Sequence, residues 1–193
     1  MKTIVLIGDS HVQGLHSAWS ELVRLKESKF DIEIIQYSGK SAYSVDFSDI
    51  DLESLKDKII LIYFGENDIR RRLPKHDNAK HVVDIYVKKA LEYFKGNRVI
   101  FVQPPPQALD HLTHEFNNTN ELMKGFVPYT IKERLEQQTN FYRALEEFDG
   151  IELIKMKDAL GISVASEVEL EDGCHLNREH TTKVVTYINK VVD

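Results

Sequence analysis

The chain has 193 residues, 42% of them hydrophobic and 29% charged, with a formal net charge of −6. That is the size of one domain with a real core, and the acidic balance argues against the basic face that a nucleic-acid-binding surface carries. No apolar run approaches the ~20 residues of a membrane-spanning helix. The single cysteine, Cys174, excludes an intrachain disulfide and a cysteine-rich zinc site.

The N-terminus has one lysine and then Thr3 to Ile7, an apolar run rich in β-branched residues that stops at Gly8. It is too short for the apolar segment of a signal peptide and reads as a buried first strand. With the cysteine usage, it makes a cytoplasmic location the expectation. From Val12 the period changes: Leu15, Trp19, Leu22 and Val23 recur as one face of an amphipathic helix does. Asp31 to Tyr37 is a second strand, ended by the turn-forming Ser38-Gly39-Lys40-Ser41. An acidic stretch from Asp46 to Asp57 reads as a loop with a short surface helix near Leu52 to Leu55. Lys58 to Phe64 is a third strand and stops at Gly65-Glu66-Asn67-Asp68. Ala79 to Phe94 has helical spacing, and Arg98 to Gln103 is a fourth strand closed by Pro104-Pro105-Pro106. Residues from about Pro128 to Phe148 form another helix, Ile151 to Ile154 a short fifth strand, and the segment from Arg178 a last helix with Val184, Val185, Ile188 and Val191 on one face. Residues 104–128 show no periodicity and are either a binding loop or lid, or a plain surface excursion.

Apolar strands alternating with amphipathic helices predict an α/β fold of three layers, α/β/α, with a central parallel sheet of about five strands. Right-handed crossovers favour the flavodoxin-like strand order. No repeat, low-complexity tract or linker interrupts the chain, so residues 1–193 are expected to form a single domain.

Ser10 lies where the first strand turns into the first helix. Local reading leaves two roles open. Asp9 or Ser10 caps the helix, as these residue types do well, or Ser10 belongs to a site at the sheet rim, where ligands of open α/β sheets bind. Gly39, Asn67 and the segment Asp172-Gly173-Cys174-His175 fall at other loops of the same rim, because parallel strands present all their C-terminal ends on one edge.

Four blocks in order, Gly8-Asp9-Ser10, Ser38-Gly39-Lys40-Ser41, Gly65-Glu66-Asn67-Asp68 and Asp172-Gly173-Cys174-His175, resemble those of the SGNH (GDSL-type) hydrolase superfamily. They span nearly the whole chain. Each block alone is weak; four in family order at loops of an α/β chain are specific. The resemblance implies a Ser10 nucleophile, His175 as the base that takes its proton, and Asp172 as the carboxylate that orients the imidazole. It implies an oxyanion hole made of the Ser10 and Gly39 backbone N–H groups and the Asn67 amide. No cofactor and no metal are implied. Asp9 and Asp68 would brace their loops.

His11 replaces the frequent leucine of the family. With Gly39 to Ala42 and Gly65 to Asp68, the first block looks like a GDSH branch in which the Asn67 position is often another residue. His11 either approaches the site as a substrate contact or is a solvated early-helix residue. Arg70 and Arg71, with Arg72, Lys75 and Lys80 nearby, either grip an anionic substrate group or form a solvated charged face. The eight histidines do not form His-Glu-x-x-His or His-x-x-Glu-His, and Gly8 lacks the companions of a dinucleotide fingerprint.

The expected activity is hydrolysis of a carboxylic ester through an acyl-enzyme. Short acyl groups, above all O-acetyl groups on a carbohydrate or glycoconjugate, are the expected substrates. The alternatives are a lipid-directed esterase, thioesterase or lysophospholipase, which an apolar groove beside Ser10 would favour, and a non-catalytic carbohydrate-binding module of the same fold. Expected partners are therefore small-molecule or glycan esters, with no nucleic acid and no membrane span.

Overall fold

The computed structural model describes residues 2–72, 78–106, 119, 122–125, 127–162 and 175–192. Its centre is a five-stranded parallel sheet. The strands are β1 (Lys2–Gly8), β2 (Phe30–Gln36), β3 (Ile59–Tyr63), β5 (Arg98–Val102) and β7 (Glu152–Ile154). They lie in the order β2-β1-β3-β5-β7, the flavodoxin-like arrangement, in which the chain winds outward to one side of β1 and then to the other. The helices are α1 (His11–Arg24), α2 (Glu66–Arg70), α3 (Ala79–Tyr93), α4 (Ile131–Glu146), α5 (Met156–Leu160) and α6 (Arg178–Val191). A 3-10 turn at Leu52–Leu55 matches the expected surface helix. A small antiparallel ribbon joins β4 (Arg71–Arg72) to β6 (Val127–Pro128).

The continuous apolar runs of the sequence follow from burial on both faces. In β1, Ile4 and Leu6 point to one face with Val12, Leu15 and Trp19 of α1 and Val184, Val185 and Ile188 of α6. Val5 and Ile7 point to the other, with Val83, Tyr86 and Val87 of α3 and Phe141 and Leu145 of α4. The same alternation holds in β3, whose five residues are all buried. Each large apolar side chain so covered contributes roughly 1.5–3 kcal/mol. β2 is an edge strand, and Asp31 and Glu33 on it are exposed. No helix among the described residues is long and apolar enough to cross a membrane.

Helix starts fix the loops at the sheet rim. Asn78 Oδ1 accepts from His81 N–H at 3.2 Å to start α3. Thr130 and Glu133 form a reciprocal capping box at α4. Asn177 Oδ1 accepts from His180 N–H at 2.9 Å to start α6, two residues after His175. α1 differs, because Ser10 stands at its N-cap and makes no side-chain cap bond.

Candidate active site

Ser10 follows β1 by two residues, and close packing sets its height. A Cβ on Gly8 would stand 2.4 Å from the Tyr63 carbonyl oxygen and 2.5 Å from Val12 Cγ1, so only glycine lets the β1–α1 turn lie against the end of β3. Asp9 does the work of a cap, since its Oδ1 accepts from the His11 N–H at 3.1 Å. That leaves the Ser10 hydroxyl available, and Ser10 Oγ meets His175 Nε2 at 2.8 Å. The two residues are 165 positions apart in the chain. As the first residue of the turn into α1, Ser10 also has a backbone N–H without an intrahelical acceptor.

The second and third blocks are joined. Asn67 Nδ2 donates to the Lys40 carbonyl at 2.9 Å, which holds the amide beside Gly39. Asp68 Oδ2 accepts from Ala42 N–H at 2.6 Å and Oδ1 from Tyr43 N–H at 3.4 Å. Asp68 therefore braces the loop after β2, as the sequence suggested. Gly39 itself is exposed, adopts φ +73°, and has open space where a Cβ would stand. Gly65 is required twice over: its φ is +122°, and a Cβ there would lie 2.5 Å from the Phe141 ring.

Two choices left open by the sequence narrow. His11 is not a solvated helix residue. It is 6% exposed, its Nδ1 bonds Asp9 Oδ1 at 2.8 Å, and its ring lies 4.6 Å from that of His175, centroid to centroid. Arg70 does not belong to a solvated charged face either. Its Nε lies 3.2 Å from Glu66 Oε1 and its Nη2 donates to Asn67 Oδ1 at 3.2 Å, so the guanidinium holds Asn67 from behind. Lys80 pairs with Asp84 on the surface of α3. The side chains of Arg71 and Arg72, and residues Lys75, Asp172 and Cys174, lie outside the described residues, as does most of the 104–128 stretch.

Asp9, His11 and Glu66 bring potential metal ligands within 4.8 Å of one another, all buried. The 2.8 Å Nδ1–Oδ1 separation is that of a shared proton, and the Arg70 guanidinium already supplies the positive charge beside Glu66. By this geometry the cluster is an Asp9–His11 hydrogen bond beside a Glu66–Arg70 ion pair. Beneath it, burial together with the charges of Asp9 and Asp68 pushes the Tyr86 phenol well above its ordinary pKa, so it stays neutral.

A cavity of about 250 Å³ opens at the Ser10–His175 pair, walled by His11, Gly14, Leu15, Tyr63, Leu176 and Thr181. A longer groove of about 500 Å³ between α1 and α6 shares Gly14, Leu176 and Thr181 with it and adds Ala18, Leu22 and Leu25. Of these wall residues, the sequence marks only His11 as a candidate substrate contact. The helical stripe of α1 is visible in the chain, but where it parts from α6 is not.

No family model matches the chain, and no curated protein does. Solved structures do. A proposed SGNH hydrolase from Slackia heliotrinireducens superposes with a TM-score of 0.63 at 11% identity, over 100% of this chain and 99% of that one. A member of the lipolytic G-D-S-L family from Veillonella parvula gives 0.60 at 15% identity, over 100% and 98%. The chain has the SGNH-hydrolase fold. A carbohydrate esterase family 3 structure from Talaromyces cellulolyticus shares it as well, with a TM-score of 0.56 at 16% identity over 98% and 95%. In this fold Ser10 sits at the turn from β1 into α1, Asn67 in α2 just after β3, and His175 on the loop before α6.

Proposed function

We propose that the protein is an SGNH-type serine esterase that cleaves carboxylic esters through an acyl-enzyme. The observation that carries this reading is the 2.8 Å contact between Ser10 Oγ and His175 Nε2, made by a helix-start serine that leaves its capping position unused. In this reading His175 Nε2 takes the Ser10 proton as Oγ bonds to the ester carbonyl carbon. The carbonyl π electrons move onto oxygen, and the oxyanion is met by the N–H groups of Ser10 and Gly39 and by the Asn67 amide. Collapse expels the alkoxide, which takes the proton from His175, and the acyl group stays on Ser10. Water then attacks the acyl carbon, His175 accepts its proton and returns it to Ser10 Oγ, and the carboxylic acid leaves. Asp172 would orient the His175 ring and stabilise its cation.

The substrate reading is a short acyl ester, O-acetyl on a carbohydrate or glycoconjugate. The cavity at Ser10 is small, and a structural relative is a carbohydrate esterase. The groove past Gly14 and Thr181 favours a second reading, in which a longer acyl chain lies between α1 and α6. Hydrolysis of p-nitrophenyl esters from acetate to decanoate, beside a panel of acetylated sugars, separates the two. A maximum at acetate supports the first and a maximum at eight or more carbons the second. If no ester in either series is turned over above a Ser10→Ala control, the chain is a binding module and the esterase reading fails.

A further inference from the structure

Asp9 is 1% exposed and His11 6%. Asp9 Oδ1 accepts both the backbone N–H and the Nδ1 proton of His11, whereas Oδ2 is buried with no hydrogen-bond partner. A helix start does not require this, because Asn78, Thr130 and Asn177 cap α3, α4 and α6 with neutral side chains. A buried carboxylate with an unmatched oxygen is costly to keep, and here its bonds all go to one residue. The His11 backbone N–H can only donate, so Oδ1 accepts there, and with Asp9 ionised the Nδ1 bond is donated by a protonated Nδ1. The same imidazole is packed on His175, with ring centroids 4.6 Å apart and planes inclined by 34°, and meets Tyr63 edge-on at 5.8 Å. His11 thus lies between the Asp9 carboxylate and the ring whose Nε2 meets Ser10.

We propose that Asp9 and His11 form a second acid–imidazole couple, built into the start of α1, that positions the His175 ring and offsets the charge it gains on taking the Ser10 proton. This rests on the esterase reading. His11 is a positioning residue in this scheme: its flat ring limits rotation of His175, and Asp9 behind it favours the imidazolium form. Among the described residues, the other charged or titratable groups around the couple are Glu66, held by Arg70, Asp68, held by the amides of Ala42 and Tyr43, the edge-on Tyr63 ring, and the Tyr86 phenol, which burial keeps neutral.

The test compares wild type with His11→Leu, His11→Phe and Asp9→Asn, using a short-chain p-nitrophenyl ester and an organophosphonate label. In His11→Leu kcat falls on the order of 10–100-fold, the scale of a displaced catalytic group, with KM changed less than about threefold. His11→Phe, which restores a flat ring, recovers most of that loss. In Asp9→Asn the acidic limb of kcat/KM moves to lower pH, because removing a negative charge disfavours the imidazolium. An NMR titration of His175 in the Ser10→Ala background must show the same downward shift, and it reads the couple without any turnover. If His11→Leu keeps wild-type kcat, if the leucine and phenylalanine variants lose equally, or if neither Asp9→Asn titration moves, the proposal is overturned. Should His11→Leu fail to fold, the His175 titration in Asp9→Asn decides alone. A wild type that neither hydrolyses esters nor takes the label would instead sink the esterase reading.

Discussion

Ser10 could not be assigned from its neighbours in sequence, because a serine after Gly-Asp at a helix start is a good cap. The structure divides the work between two residues. Asp9 takes the first N–H of α1, and the Ser10 hydroxyl turns to His175. Ser10→Ala therefore removes no capping bond. It should leave thermal stability within about 0.5 kcal/mol, as substitutions free of a structural task do, while turnover drops by ~10⁴-fold or more. A melting curve beside an esterase assay checks both halves. Asp68 is the opposite case. Its carboxylate is bonded to the amides of Ala42 and Tyr43, and Asp68→Ala leaves a buried N–H without its acceptor. About 1–3 kcal/mol of stability should be lost in a urea titration, together with activity, since the same loop carries Gly39. For His11 and Arg70 the sequence left two roles open, for one cause. Both carry polar side chains that look like surface, and both are held against near neighbours in the chain, His11 on Asp9 and Arg70 on Glu66 and Asn67.

Among the elements, the five strands of the sheet lie within one or two residues of their sequence assignments. Burial on both faces writes itself as unbroken apolar runs in β1, β3 and β5, whereas the edge strand β2 shows an alternation with exposed Asp31 and Glu33. The long helices were equally legible from their stripes. α2 and α5 were not. Each has five residues, too few for a periodic pattern, and α2 begins inside a block read as a loop. Its entry depends on Gly65, where φ is +122° and the Phe141 ring occupies the place of a Cβ. Gly65→Ala must strain the backbone and push α4 away, at a cost of about 2 kcal/mol or more. Because α2 carries Asn67, turnover should fall along with the denaturation midpoint. A variant with full stability and full activity would show that Gly65 is not the constraint described.

At the scale of the molecule, parallel order brings the chain's separated blocks to one rim, and order and spacing along the sequence foretold that much. The cavity could not be foretold, since it depends on how α1 and α6 part. At Gly14 a Cβ would stand 3.7 Å from Thr181 Cγ2, an ordinary contact, so Gly14→Ala is accommodated and narrows the way from the Ser10 cavity into the groove. Acetate hydrolysis should persist in this variant. Any octanoate hydrolysis seen in wild type should drop by ~10-fold or more, the range over which an apolar pocket discriminates chain length. The sheet edge predicts acid behaviour. The Arg98 bonds hold the Glu152 carboxyl below its ordinary pKa, with burial opposing. Burial raises that of Glu146, but bonds from Gln103 and Lys155 outweigh it. Carboxyls depressed in the folded state contribute stability at neutral pH that is lost as pH falls through and below the ordinary carboxylate range. Melting temperature should therefore decline from about pH 5 downward, and less so in high salt, because these pairs are partly exposed.

The claim on which the rest depends is that Ser10 is a nucleophile activated by His175. An organophosphonate with a good leaving group reads this directly, by mass spectrometry of the labelled protein. One adduct per chain is expected, mapped to the peptide containing Ser10, absent in Ser10→Ala and strongly slowed in His175→Ala. No adduct, or one placed on another residue and unaffected by these two substitutions, would contradict that claim.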